Sequence, residues 1–155
     1  MAEVARHVMA TQGYTRKDVG SLEMQQAILE AHLKEEQKGW HCPIQLSDRS
    51  AIDPIVYAVL TSSDENEAQR RREILMNSPD FKNALPIYRR STFILLAPVA
   101  DWLEDDGIRL LEHQERCFEV FKQTLVELGI PFLEIGAQMR FLEERVTMAM
   151  GLLNL

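Results

Sequence analysis

The side chains best placed to do chemistry lie in Cys42-Pro43-Ile44-Gln45-Leu46-Ser47-Asp48-Arg49-Ser50-Ala51-Ile52-Asp53-Pro54, where a short apolar run ends in an acid and an arginine and a new helix starts at Asp53-Pro54. Asp favours the capping position and Pro the first turn, so that dipeptide predicts a helix N-terminus. In an open α/β sheet, ligands meet polar side chains just beyond the carboxyl end of a strand. There Asp48 can hold a magnesium ion or take a proton from a substrate hydroxyl, and the Arg49 guanidinium can clamp a phosphate. The same pair also suits a solvated turn, the commoner setting for these residue types. Phosphate chemistry of the P-loop kind needs a Gly-rich cradle, G-x-x-x-x-G-K-S/T, and none of the early glycines, Gly13, Gly20 or Gly39, opens one.

Other residues invite a functional reading with a plainer one beside it. Arg109 and Arg116 are seven apart and share a helix face, able to grip one anion or to pair with Glu112, Glu115 and Glu119. Trp102 can stack on a planar ring or anchor a loop. Arg70-Arg71-Arg72 point in different directions on a helix and are expected at a solvated surface. His7, His32, His41 and His113 are scattered, with no zinc-ligand spacing. Cys117 and the Met148 and Met150 neighbourhood fit a core better than a reactive site or a groove.

These residues need a scaffold, and the 155-residue length is that of one domain, spanning 1–155. With 46% apolar and 26% charged residues the composition is that of a soluble globular chain. A net charge of -7 argues against nucleic-acid or anionic-membrane binding, which needs a positive field. Two cysteines form no disulfide framework and point to a reducing, cytoplasmic setting. No signal-peptide pattern opens the chain, and no apolar run approaches a membrane span.

Periodicity places helices over Glu3 to Gln12, stopped by Gly13; from a Ser21 cap to Gly39; and beyond Pro54 as a largely buried apolar segment. A further cap at Ser62 to Glu65 starts a helix to Met76, and Pro79 to Leu85 forms a short helix closed by Pro86. Ile44 to Ser47 predicts a brief strand, and Thr92 to Ala97 is the strongest one, continuous and apolar as a buried parallel strand should be. A long helix then places Leu111, Phe118, Val120, Phe121, Leu125 and Leu128 toward a core and stops at Gly129. Ile130 to Ile135 is the last strand, and Arg140 to Leu153 a closing amphipathic helix. Strand and helix alternate, which predicts an α/β fold with a parallel sheet.

This ordered pattern resembles the NadR-type AAA domain family, P-loop proteins that include ribosylnicotinamide kinase-like domains. Three matches carry the resemblance: Glu3-Val4-Ala5-Arg6 opening a helix; Leu46 to Pro54 around the acid and arginine; and Phe93 to Pro98 followed by Trp102, Asp106-Gly107-Ile108-Arg109 and Arg116. The approach Glu127-Leu128-Gly129-Ile130-Pro131-Phe132 is also similar. The resemblance implies an incomplete P-loop NTPase-like parallel sheet of about three strands flanked by helices, with magnesium and ATP as cofactors and a nucleotide or small-molecule substrate. It implies that Asp48 serves the metal or the acceptor hydroxyl, that Arg109 and Arg116 close over phosphates, and that Glu3 and Arg6 border an acceptor pocket with Arg49 nearby, while Trp102 is a candidate to stack on a base or nicotinamide-like ring. The family's first strand and cradle precede its Glu-x-x-Arg motif, whereas only Met1 and Ala2 precede Glu3 here. Three expectations follow: an amino-terminally truncated domain not competent for ATP-dependent phosphoryl transfer, a non-catalytic module that self-associates through exposed sheet edges, or a fragment of a longer active kinase.

Overall fold

The computed structural model describes residues 4–102 and 114–153. Its order is α1 (Val4–Gln12), α2 (Leu22–Gln37), α3 (Ile52–Leu60), α4 (Glu65–Met76), α5 (Pro79–Tyr88), β1 (Phe93–Leu96), α6 (Gln114–Leu128), β2 (Phe132–Ile135) and α7 (Leu142–Leu153), with short 3-10 turns at Arg16–Asp18 and Ala100–Trp102. The chain divides into two compact units, Met1–Leu85 and Pro86–Leu155.

The first unit is helical. The α1 helix stops at Gly13, whose φ of 75° is cheap for glycine alone. Ser21 then caps α2, its hydroxyl accepting from the Met24 N–H at 3.1 Å. The Val19-Gly20 turn between them is satisfied by side chains: Gln25 Nε2 donates to the Val19 carbonyl at 2.7 Å, and Arg71 donates to the Gly20 carbonyl at 2.7 Å. Val8, Val19, Met24 and Ile28 form the core beneath this turn. The apolar α3 buries Ile52, Pro54, Ile55, Val56, Ala58 and Val59, the buried helix its composition predicts. Asp64 caps α4 through the Glu67 N–H at 2.9 Å. The Glu67 carboxylate reaches back to the Ser63 backbone and hydroxyl, both at 2.7 Å, and these bonds, with Arg71, hold it down at a pKa of about 2.

Of the three arginines in α4 only Arg70 is exposed. Arg72 is buried, and the Arg71 guanidinium is tied to Glu67 and Gly20. The expected solvated face is therefore corrected. Arg72 lies on the packed side of α4, and the long stem of Arg71 lets its guanidinium reach the Gly20 carbonyl. Pro86 lies inside α5, which runs to Tyr88 and not to Leu85 as expected. The missing proline N–H falls in the last turn, where little helix remains to lose.

The second unit is built on a two-stranded parallel sheet, β1 beside β2, in register Phe93↔Phe132 to Leu96↔Ile135. Tyr88 meets Phe93 edge-to-face, with ring centroids 5.6 Å apart. Val120, Leu125, Leu128, Ile130 and Ile135 are buried, while β1 is only half-buried and Leu96 is 54% exposed. The expected third strand is absent: Ile44 to Ser47 has no regular structure and pairs with no strand among the described residues. Four residues after a proline gain too little from a ladder to hold an extended conformation unless a partner edge is offered.

Gly129 ends α6 with φ 65°, the Ile130 N–H bonding the Leu125 carbonyl at 2.9 Å and the Gly129 N–H the Val126 carbonyl at 3.0 Å. This pair of bonds is the left-handed stop that glycine adopts without strain. Gly129→Ala should cost about 1 kcal/mol of unfolding free energy. Urea denaturation of the two proteins checks it, and equal midpoints would show that the left-handed turn is not required.

Candidate functional site

The segment expected to present Asp48 hangs on the end of α2. Gln45 Nε2 donates to the Glu36 carbonyl at 3.1 Å, and its amide lies over Gly39, where a Cβ would come within 2.3 Å of Gln45 Cδ. Ile44 and Leu46 are exposed at 72% and 84%. Asp48 is exposed too, in a bend and not at the end of a strand.

Just after it, four side chains organise the start of α3. Glu36, buried on α2, accepts from the Ala51 N–H at 3.2 Å. The Ser50 hydroxyl accepts from the Ile52 N–H at 3.2 Å. Asp53 accepts from the Ser50 N–H at 3.1 Å and from Arg49 at 2.7 Å. The helix therefore starts earlier than expected, at Ile52 with Ala51 before it, and Ser50 and Asp53 exchange reciprocal backbone bonds across this start, much as in a capping box. Burial draws the Arg49 guanidinium down, but the Asp53 carboxylate outweighs it and holds Arg49 above its ordinary value. Arg49 is thus committed to a carboxylate before any phosphate arrives.

His32 lies under this cluster, 3% exposed, and its Nδ1 has no hydrogen-bond partner. Burial lowers its pKa, with Asp53 pulling it up and Arg49 pushing it down. Sequence reasoning gave His32 no role. The available signal was its place on the apolar side of α2, beside Leu29 and Leu33.

The remaining predicted residues are dispersed. Arg6 is exposed on α1, and Arg116 is exposed near the start of α6. Glu3 and Arg109, with the Asp106-Gly107-Ile108-Arg109 motif, lie outside the described residues. Trp102 closes the 3-10 turn and is 44% exposed. Within the first unit the structure brings Arg49 together with Asp53 and the α3 start. In the second it brings Trp102 against a residue that sequence reasoning missed, Arg145.

Arg145 is buried on α7, at 6% exposure, although Phe141, Leu142, Val146, Met148 and Met150 around it are exposed. This overturns the expectation that Met148 and Met150 belong to the core. The guanidinium donates through Nε to the Met139 carbonyl at 2.8 Å, and through NH2 to Ala97 at 2.8 Å and Gly136 at 3.3 Å. Ala97 follows β1 and Gly136 follows β2, so one side chain gathers the carboxyl ends of both strands. Its Cζ sits 5.1 Å from the centre of the Trp102 ring, a cation–π distance. The overlooked signal was an arginine at i+4 in the apolar row Phe141, Arg145, Met148, Leu152.

A family model described as an AAA domain matches residues 1–145. The chain belongs to this AAA domain family. No curated protein matches, and no solved structure does. Membership makes the protein a P-loop-like, nucleotide-binding domain, and the parallel pairing of β1 with β2 accords with it. No helix among the described residues is long and apolar enough to cross a membrane.

Among the described residues no group of three or more His, Cys, Asp or Glu is gathered closely enough to hold an ion, and Asp48 stands alone in solvent. A single exposed carboxylate holds magnesium weakly unless phosphate oxygens supply the other ligands.

His32 gives this region a pH dependence whose sign is fixed. Its folded pKa is below the ordinary 6.5, so the unfolded chain binds more protons, and stability is complete above 6.5 and falls as pH drops toward the folded value. Unfolding free energies of the wild type and His32→Leu, compared from about pH 5 to 8, should converge or cross on the acid side. A difference between them that does not change with pH would mean that His32 is not buried in its neutral form.

Proposed function

We propose that this chain is a NadR-type, kinase-related AAA domain segment that carries acceptor-side and lid side chains but not the phosphate cradle, and so does not by itself transfer a phosphoryl group from ATP. The observation that carries the reading is the family match over residues 1–145 in a sequence that contains no G-x-x-x-x-G-K-S/T. Without the backbone N–H groups and the lysine of such a cradle, little is left to fix the β- and γ-phosphates, and phosphoryl transfer depends almost wholly on that fixing.

In this reading Asp48 serves a metal-bound phosphate or the acceptor hydroxyl, and Arg109 and Arg116 are lid cations. Glu3 and Arg6 border the acceptor pocket, and Trp102 faces a planar ring. Arg49 has a supporting part, because its guanidinium is held by Asp53 and must exchange that partner to reach a phosphate. Bound magnesium would supply charge neutralisation at the phosphates. A longer product with a cradle upstream fits the same assignment, and the domain would then be an ordinary small-molecule kinase.

A second reading, a non-catalytic module that self-associates through its sheet edges, is supported by β1. That strand has the composition of a strand buried on both faces but is half-exposed, and its edge away from β2 pairs with nothing among the described residues.

Isothermal titration of the 155-residue chain with magnesium-ATP should show no saturable heat in the micromolar range. Micromolar binding would overturn the claim that the cradle is missing from this chain. Sedimentation addresses the second reading, since a strict monomer at high protein concentration removes it.

A further inference from the structure

We infer that Arg145 and Trp102 form a subsite for a compact anion, a carboxylate or phosphate group, at the carboxyl edge of the β1–β2 sheet. The inference stands on this geometry and holds whether or not the chain binds a nucleotide.

A buried guanidinium is normally matched by a carboxylate, because an uncompensated charge is costly to remove from water. Arg145 is 6% exposed, and among the described residues its hydrogen bonds go to the neutral carbonyls of Met139, Ala97 and Gly136. Asp101, next to Trp102 in sequence, is paired with Arg140 in an exposed ion pair. Glu143 and Glu144 precede Arg145 on α7 but are exposed, and among the described residues the buried guanidinium itself is met by carbonyls and by no carboxylate.

The hydrogen bonds use Nε and NH2, which leaves NH1 as the nitrogen free to meet an incoming oxygen. Trp102 covers the guanidinium with its ring and is 44% exposed. A ligand seated at NH1 thus lies beside an indole edge, shielded from water on one side. Desolvation lowers the Arg145 pKa, and an anion in contact reverses that penalty. Backbone carbonyls hold the guanidinium in one plane, so its ordering is complete before the anion arrives, which is the condition for selective oxyanion recognition by arginine.

Trp102 reports on the site directly. The chain has two tryptophans, so Trp40→Phe leaves Trp102 as the sole indole. In that background, inorganic phosphate should change the Trp102 emission saturably with a midpoint of about 1 mM, and sodium chloride at equal ionic strength should not. Arg145→Lys keeps the charge but cannot span three carbonyls, and should weaken the phosphate response at least about tenfold. Arg140→Gln, which removes the exposed neighbouring cation, should leave it in place.

If Arg145→Lys loses its far-ultraviolet circular dichroism, the melting temperature of the other two proteins decides. Phosphate should raise it above the chloride control in both the parent and Arg140→Gln. A phosphate response no larger than that of chloride overturns the subsite. So does a response that survives in folded Arg145→Lys, or one that disappears with Arg140→Gln.

Discussion

Backbone groups left over where strands and helices end must find partners inside the fold, and in each unit one buried charged side chain supplies them. Glu36 meets the Ala51 N–H at the start of α3, and Arg145 gathers the carbonyls of Ala97, Gly136 and Met139. Glu36 reaches a segment 15 residues on and Arg145 a carbonyl 48 residues back, so these contacts also fix where each helix lies relative to the segment it serves. Truncating Glu36 would strand the Ala51 N–H and truncating Arg145 its carbonyl partners, and a buried donor or acceptor without a partner costs about 1–3 kcal/mol.

The two charges are compensated differently. The Glu36 carboxylate is spent on a helix N-terminus, where the dipole favours an anion and capping is a complete use of it. Arg145 meets carbonyl oxygens at the ends of a sheet, which satisfy its donors but do not neutralise it. A two-stranded sheet has little dipole to offer in exchange. Arg49 is a third case: half in solvent, it is balanced by Asp53 one helical turn away, and the pair closes the α3 start instead of presenting a free cation. Counting arginines near an expected phosphate site therefore overstates what is available, since Arg49 is already occupied by the fold.

The sequence was most legible where one residue type has one local use. Gly13 and Gly129 stop helices at positive φ, Ser21 and Asp64 cap them, and the apolar runs of α3, β1 and β2 form the elements expected of them. It was least legible where the outcome depends on a partner far along the chain. Ile44 to Ser47 has strand-forming residues but no edge to join. Arg71 turns inward because a loop carbonyl and a carboxylate are waiting there, and no spacing rule announces that. Asp53 was placed as a cap because its type fits, whereas Ser50, three residues earlier, leaves Asp53 the reciprocal role. For the candidate site, Asp48 and Arg49 were found by their types and Trp102 by its place after the strand. Arg145 was missed because a lone arginine in an apolar helix row looks like a surface interruption.

That miss bears on how function should be sought in this family. A resemblance transfers residues that recur in motifs, and those here are exposed, committed to other partners or outside the described segment. The groups that shape the sheet's carboxyl edge lie instead on α7, a helix whose apolar residues face outward while its arginine faces in. Such an inversion is unstable unless the buried charge is held by something worth more than the apolar area forgone, which for several half-exposed Leu, Val and Met side chains is several kcal/mol at about 25 cal/mol per Å². Three carbonyl bonds and an indole face offset much of that, and a bound anion would add the one component they lack, an opposite charge. The physical case for a ligand at this edge thus rests on what the fold itself leaves unbalanced.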